Sequence, residues 1–243
     1  MRKTFLRKKV HITMTPLASE SKREDVATFL TLYAWSTPNG QKPIILLEEL
    51  GMAYDLVGVD VGRGHQLTSR YLDIAPHGKV PTLIDCRGAE TITVSEPGAI
   101  LIYLAEQEGR FLPKAGRARV DVLQWLTYQM TTVGPMLGEA NHFRRSMAEP
   151  MPYVLERYLH EARQVFELIN RRLADHEFVA GDYSIADIAL YPWLHMPAWY
   201  GLHKSEFPHI GRWSRTVGNR PAVKTTRSTT FVAGDWEAPS IAM

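Results

Sequence analysis

Cysteine is nearly absent from this sequence. Cys86 is alone among 243 residues, which excludes an intramolecular disulfide, a Cys-x-x-Cys redox pair and a cysteine-built zinc site. A lone thiol suits a reducing cytoplasm. The basic stretch 2–9 is followed by 10–20 without a sustained apolar run, so no secretory signal is expected. Long hydrophobic runs are missing as well: the most apolar stretches, 43–47 and 188–194, fall far short of the roughly 20 residues that span a bilayer. Neither sign of charge dominates, with 28 basic against 26 acidic residues. Such a balance leaves no nucleic-acid footprint without a concentrated patch. The 17 glycines and 15 prolines are near average usage, which excludes collagen-like and low-complexity chains. What is present is an ordinary globular composition, 45% hydrophobic, long enough for one large domain or two small ones.

Residues 1–27 carry Arg2, Lys3, Arg7, Lys8, Lys9, Lys22 and Arg23 against Glu20, Glu24 and Asp25, without a clear period, and read as a disordered or irregular extension. From residue 28 the signals become regular. The stretch 29–35 alternates and reads as a strand, Thr37-Pro38-Asn39-Gly40 as a turn, and 43–50 as a helix with Pro43 in its first turn and Gly51 as its stop. A second strand over 54–60, a weakly helical 62–75, short strands at 81–85 and 91–94 and a helix over 99–107 complete the order β-α-β-α-β-β-α. A parallel βαβ unit followed by a hairpin and a closing helix makes an α/β domain over 28–112. Nearly everything beyond it has helical period: 119–132, 152–173, 185–193 and 210–217, an all-α domain over 117–226 followed by a tail, 227–243. Ser184-Ile185-Ala186-Asp187 is a capping box, with Tyr183 and Ile188 at the staple positions, and this motif is structural.

Chemistry has three places to sit. In a parallel βα unit, ligands collect where the helix N-terminus faces the carboxyl end of the strand, here Thr37-Pro38-Asn39-Gly40. Thr37 and Asn39 either reach an anion there, a thiolate above all, or only form the turn and cap the helix. Lys79-Val80-Pro81 precedes a strand and offers a peptide-binding backbone edge, and Glu96-Pro97-Gly98 opens a helix where a carboxylate pairs with an ammonium group. Together these suit a short zwitterionic peptide. Cys86, at the far end of its strand, reads as buried or inert. Met130, Met136, Met147 and Met151 read as helical core or interface. His142, Phe143 and Arg144 follow an apparent break at 134–138 and are candidates for a second-substrate pocket. The nine histidines show no metal-ligand spacing, so no metal is expected.

This order of elements, with Val80-Pro81 before the third strand, an acidic residue opening the last helix of the first domain and the Ser184 box, resembles the glutathione transferase superfamily over 28–226. Ser36-Thr37-Pro38-Asn39-Gly40, the stretch 62–66, Gly134-Pro135-Met136-Leu137-Gly138 with Asn141-His142-Phe143, and the stretch 183–187 resemble most its bacterial nu class, the glutathione-dependent disulfide-bond oxidoreductases. The resemblance implies a thioredoxin-like N-terminal domain followed by an all-helical C-terminal one, glutathione as cosubstrate and a cytoplasmic homodimer. It places Thr37 and Asn39 beside the glutathione sulfur as catalytic residues. Gln66 and Lys79 fall at the glycyl end, Val80 and Pro81 along the cysteinyl backbone, and Glu96 on the γ-glutamyl ammonium. Pro97 departs from the pattern: it stands where the family has serine and removes a hydroxyl and an N–H from the γ-glutamyl carboxylate.

In thioredoxin-like folds a reactive cysteine occupies the place held here by Thr37, and disulfide exchange needs an attacking thiolate. If the chain reduces disulfides, both thiols must therefore come from glutathione, and the expected reaction is two molecules reducing one disulfide to yield glutathione disulfide. Conjugation of glutathione to an electrophile, or thiolytic cleavage, would use the same thiolate on a small-molecule second substrate. A non-catalytic binding or scaffold protein on the same fold is the reading outside enzymes.

Overall fold

The structure is a computed structural model that describes residues 29–147 and 149–236. The extension 1–27 lies outside the described residues. Strand β1 (Leu30–Ala34) pairs in parallel with β2 (Asp55–Gly58) and antiparallel with β3 (Thr82–Asp85), which pairs antiparallel with β4 (Ile92–Ser95), giving the order β2-β1-β3-β4. The two-residue side-chain period of β1 divides it between two cores. Leu30, Leu32 and Ala34 join the main core, whereas Tyr33 enters a smaller cluster with Val59, Tyr71 and Ala75.

Helix α1 (Pro38–Leu50) begins five residues earlier than the sequence suggests, so Pro43 lies inside it rather than in its first turn. Thr37 and Pro38 set the start, as N-cap and first helical residue. An interior proline removes one helical hydrogen bond and costs about 3 kcal/mol. Ile44, Ile45, Leu46 and Leu47 are all at most 1% exposed, and at roughly 1.5–3 kcal/mol per buried side chain their burial outweighs that cost. Helix α2 (Ser69–Leu72) follows two 3-10 turns, and α3 (Pro97–Glu108) ends at Gly109, as its left-handed backbone requires (φ 62°).

The helical domain holds α4 (Gly116–Tyr128), α5 (Gly134–Arg145), α6 (Pro152–Arg172), α7 (Ile185–Leu194), α8 (Pro208–Gly218) and α9 (Pro221–Ser228). The apparent break at 134–138 is the start of α5, joined to α4 by a π-helical turn, Gln129–Val133. Pro135 has no N–H to give the carbonyl four residues back, and the residue before it, Gly134, donates to Gln129 O, five residues back rather than four. The capping box forms as read: Ser184 caps α7, and Asp187 accepts from the Ser184 backbone. The two domains are tied by Arg220, whose Nη2 donates to Glu49 Oε2 at 2.9 Å.

The segment after α9 returns to the thioredoxin-like domain. Gly234 N donates to Gly58 O at 2.9 Å, Ala233 bridges Gly58 in parallel, and Trp236 Nε1 donates to the same carbonyl at 2.7 Å. Trp236 packs edge-on against Tyr33 and Tyr71. The segment thus covers the end of edge strand β2, where unpaired backbone would otherwise invite another chain.

Candidate active site

The register Tyr33↔Thr82 and Thr82↔Ser95 brings the end of β1, the start of β3 and the end of β4 to one end of the sheet. Ala34↔Gly58 brings the end of β2 there as well. Thr37, Val80-Pro81, Glu96 and the turns that carry Gln66 all leave from that end, so the three stretches singled out in the sequence converge.

Thr37 Oγ1 accepts from Gly40 N at 3.0 Å, which caps α1, and the hydroxyl proton has no acceptor among the described residues. The first turn of α1 carries no acidic side chain, so its N-terminal dipole is uncompensated and favours an anion. The capping reading of Thr37 holds, and it leaves the hydroxyl proton free for a ligand, since a hydroxyl can accept and donate at once. Asn39 Oδ1 accepts from Lys42 Nζ at 2.9 Å.

Sequence reasoning missed Lys42. It is 1% exposed, and its Nζ donates to Gln129 Oε1 at 2.7 Å, lies 3.9 Å from Met130 Sδ and stands 5.9 Å from the centroid of the Trp193 ring. Burial pushes its pKa down to about 7, against an upward pull from Glu96. Gln129 Nε2 and Trp193 Nε1 are buried without a partner among the described residues. The spacing of Asn39 and Lys42 on one helix face was visible in the sequence, whereas Gln129 reaches Lys42 only because the π-helical turn places it there.

Gly78, with φ 61°, sits so close to the 65–67 turn that a Cβ would lie 3.3 Å from Gln66 O and 3.2 Å from Leu67 Cδ2. That approach sets the backbone of Gln66 against Gly78, the residue before Lys79. Gln66 Oε1 is buried without a partner among the described residues. Tyr71 donates its hydroxyl to Lys79 O at 2.7 Å and approaches Thr82 Oγ1 at 3.3 Å, pinning the segment before β3. The Val80–Pro81 bond is cis.

Glu96 is the N-cap of α3 with φ 71° and ψ 126°, a left-handed backbone that a non-glycine residue holds at a cost on the order of 1–3 kcal/mol. Its carboxylate caps nothing; Oε1 lies 3.7 Å from His77 Nε2 and is largely open to solvent. Pro97 occupies the first helical position of α3, where its missing N–H costs the helix nothing.

His142, Phe143 and Arg144 lie in the last turns of α5. Phe143 stacks on Tyr158 of α6 with centroids 5.5 Å apart, His142 sets its ring edge against Phe143, and Arg144 donates to Ala198 O at 3.1 Å. Their recorded contacts run to α6 and the 197–200 turn. Cys86 lies past the far end of β3, as read, but is exposed rather than buried, with Sγ 3.6 Å from Thr91 Oγ1. Met147 and Met151, read as core or interface, are 36% and 44% exposed. A surface groove of about 690 Å³ along α6 is lined by Tyr153, Arg157, His160 and Tyr200 among others, and by none of the candidate catalytic or glutathione-binding residues. Among the described residues no group of three or more His, Cys, Asp or Glu is placed to hold a metal, and no helix is long and apolar enough to cross a membrane.

Known proteins match this arrangement in both halves. The family description "Glutathione S-transferase, N-terminal domain" matches residues 29–106, and "Glutathione S-transferase, C-terminal domain" matches 143–221. The chain belongs to the glutathione transferase family. Disulfide-bond oxidoreductase YfcG of Escherichia coli (strain K12) is 38% identical to this glutathione transferase over 197 residues, 79% of this chain and 92% of that protein. Among solved structures, glutathione transferase YghU from Streptococcus pneumoniae, complexed with glutathione, superposes with a TM-score of 0.81 at 33% identity, covering 89% of this chain and 88% of that one. A glutathione transferase from Pseudomonas putida with one glutathione disulfide bound per subunit superposes at 0.79 with 31% identity, covering 84% and 93%.

Proposed function

We propose that this glutathione transferase is a glutathione-dependent disulfide oxidoreductase of the nu-class kind. The observation that carries the reading is the pair of free donors, the Thr37 hydroxyl and the Asn39 amide, at an uncompensated helix N-terminus where no cysteine is available. Its likeness to a disulfide-bond oxidoreductase and to a structure holding glutathione disulfide supports it. Thr37 and Asn39 donate to the ionised sulfur of glutathione and lower its pKa. That thiolate attacks one sulfur of the substrate disulfide, forming a mixed disulfide and expelling one substrate thiolate. A second glutathione thiolate attacks the glutathionyl sulfur, giving glutathione disulfide and the second substrate thiolate. The two protons lost by the glutathione thiols go to the two leaving thiolates.

Gln66 and Lys79 hold the glycyl end, the Val80 backbone beside Pro81 pairs with the cysteinyl unit, and Glu96 takes the γ-glutamyl ammonium. His142, Phe143 and Arg144 belong in this reading to the side of the second, small-molecule substrate. The reading includes a cytoplasmic homodimer and a division near 28–112 and 117–226.

Calorimetric titration with glutathione and with glutathione disulfide tests it, together with turnover of a small dialkyl disulfide. One glutathione disulfide or two glutathiones should bind per site, and two glutathiones should be oxidised per disulfide reduced. Thr37→Ala should slow turnover about ten- to hundredfold, the worth of one hydrogen bond to a charged group. Undiminished turnover in that variant removes the hydroxyl from the mechanism, and a protein that binds neither form of glutathione is not this enzyme. Conjugation of a model electrophile without disulfide reduction would assign the thiolate to transfer chemistry instead. Pro97→Ser restores a donor pair for the γ-glutamyl carboxylate and should tighten glutathione about tenfold, read by the same titration.

A further inference from the structure

An asparagine side chain has two ends of nearly equal shape and opposite character, an accepting oxygen and a donating NH2. Only the donating end stabilises a thiolate; the oxygen end repels it. Asn39 is only partly buried and could present either end unless something holds it. The one recorded side-chain partner of Asn39 among the described residues is Lys42, which has N–H groups to offer and gives one of them to Oδ1 at 2.9 Å. A lysine donates these N–H groups whether charged or neutral, so the Asn39 oxygen is taken in either state.

Lys42 is itself held. Gln129 Oε1 accepts from it at 2.7 Å from the π-helical turn, 87 positions along the chain, and the Trp193 ring lies on a further side. At 1% exposure no bulk water competes for these bonds. The charged group whose field reaches it is Glu96.

We propose that Lys42 is a positioning residue: by occupying Asn39 Oδ1 it turns the Asn39 amide so that the NH2 end faces the sulfur of bound glutathione, with Gln129 holding the lysine in place. This rests on the function proposed above. It makes the helical domain responsible for the donor geometry of the thioredoxin-like one, through a single chain of hydrogen bonds, Gln129 to Lys42 to Asn39.

The test follows the ionisation of bound glutathione, read by the ultraviolet absorbance of its thiolate across a pH series, alongside kcat/KM for disulfide reduction. Lys42→Met keeps the length and apolar stem but donates nothing. It should raise the thiol pKa by about one unit and lower kcat/KM near neutral pH about tenfold. In an Asn39→Ala background the same substitution should have no further effect, because the amide it orients is gone. Gln129→Leu, which leaves α1 untouched, should shift the pKa in the same direction by less, and it carries the test if Lys42→Met does not fold.

A merely structural tie between the domains would lower stability without moving the thiol pKa, and that result overturns the inference. An equal effect of Lys42→Met with and without Asn39 also overturns it, since the lysine would then act on the sulfur directly. If Asn39→Ala alone leaves the thiol pKa of the wild-type complex unchanged, the underlying mechanism fails first; if it raises the pKa and Lys42→Met does not, only the positioning role fails.

Discussion

Asp187→Ala is expected to lower the unfolding free energy by about 3–5 kcal/mol, the cost of leaving several buried neutral donors without an acceptor at once. Asp187 is 0% exposed. Its Oδ1 accepts from Trp213 Nε1 at 2.9 Å and Val179 N at 3.1 Å, and its Oδ2 from Ser184 N at 3.2 Å. Truncation to alanine leaves these three N–H donors buried and unpaired, and takes the acceptor from the Ser184 hydroxyl, which reaches Oδ2 at 3.4 Å. Asp187→Asn should fall between wild type and alanine, because its NH2 must face one of these donors. Urea unfolding followed by tryptophan fluorescence reads the difference, and a loss below about 1 kcal/mol would mean that the network contributes little beyond its packing.

The same carboxylate adds a pH dependence. Burial pushes its pKa up to about 6 even though four hydrogen bonds pull it down. The folded state therefore binds more protons than the unfolded chain between about pH 4 and pH 6, and this group's contribution to stability falls as pH rises through that window.

Lys42→Met is expected to change how stability depends on pH, and by more than any surface substitution would. In the folded protein Lys42 titrates near 7, against an ordinary value of 10.5. Between those two values the unfolded chain binds more protons than the folded one, so stability climbs with pH. The climb is at most about 1.4 kcal/mol per pH unit and amounts to several kcal/mol over the window. Below about pH 7 both states carry the charge, and the full cost of burying it is present. The methionine variant has no such group. The stability difference, wild type minus variant, should therefore be flat below about pH 7 and rise steadily toward pH 10. Urea midpoints at a few pH values suffice to draw that curve, and a flat one would show that the ammonium is not cut off from water.

Much of the candidate site was legible because it is local. Thr37, Lys79-Val80-Pro81 and Glu96-Pro97 each sit at a strand end or helix start, and strand and helix signals place such ends within a few residues. Their convergence follows from a βαβ unit and a hairpin sharing one sheet. Where reading failed, a distant contact had overruled a local rule. Pro43 reads as a helix start, yet α1 runs through it because the apolar run behind it is buried. Gly134-Pro135 reads as a break, yet a π-helical turn carries the chain through into α5. Helix α9, which buries Ala222, Val223 and Thr226, has no counterpart in the sequence reading, whose last helix ends at 217.

The sequence by itself determined the order of elements in the first domain, the capping box of α7 and the chemical necessity that follows from a single remote cysteine: any thiol at the end of β1 must arrive with a ligand. Those conclusions rest on spacing, capping and inventory, which act within a few residues of the chain. Only the tertiary structure decided that Lys42 is closed off from water, that its partner comes from 87 positions away, and that the segment ending in Trp236 closes the edge of β2. Burial is the reason. It depends on which distant residues fill the space around a side chain, and no local pattern carries that information.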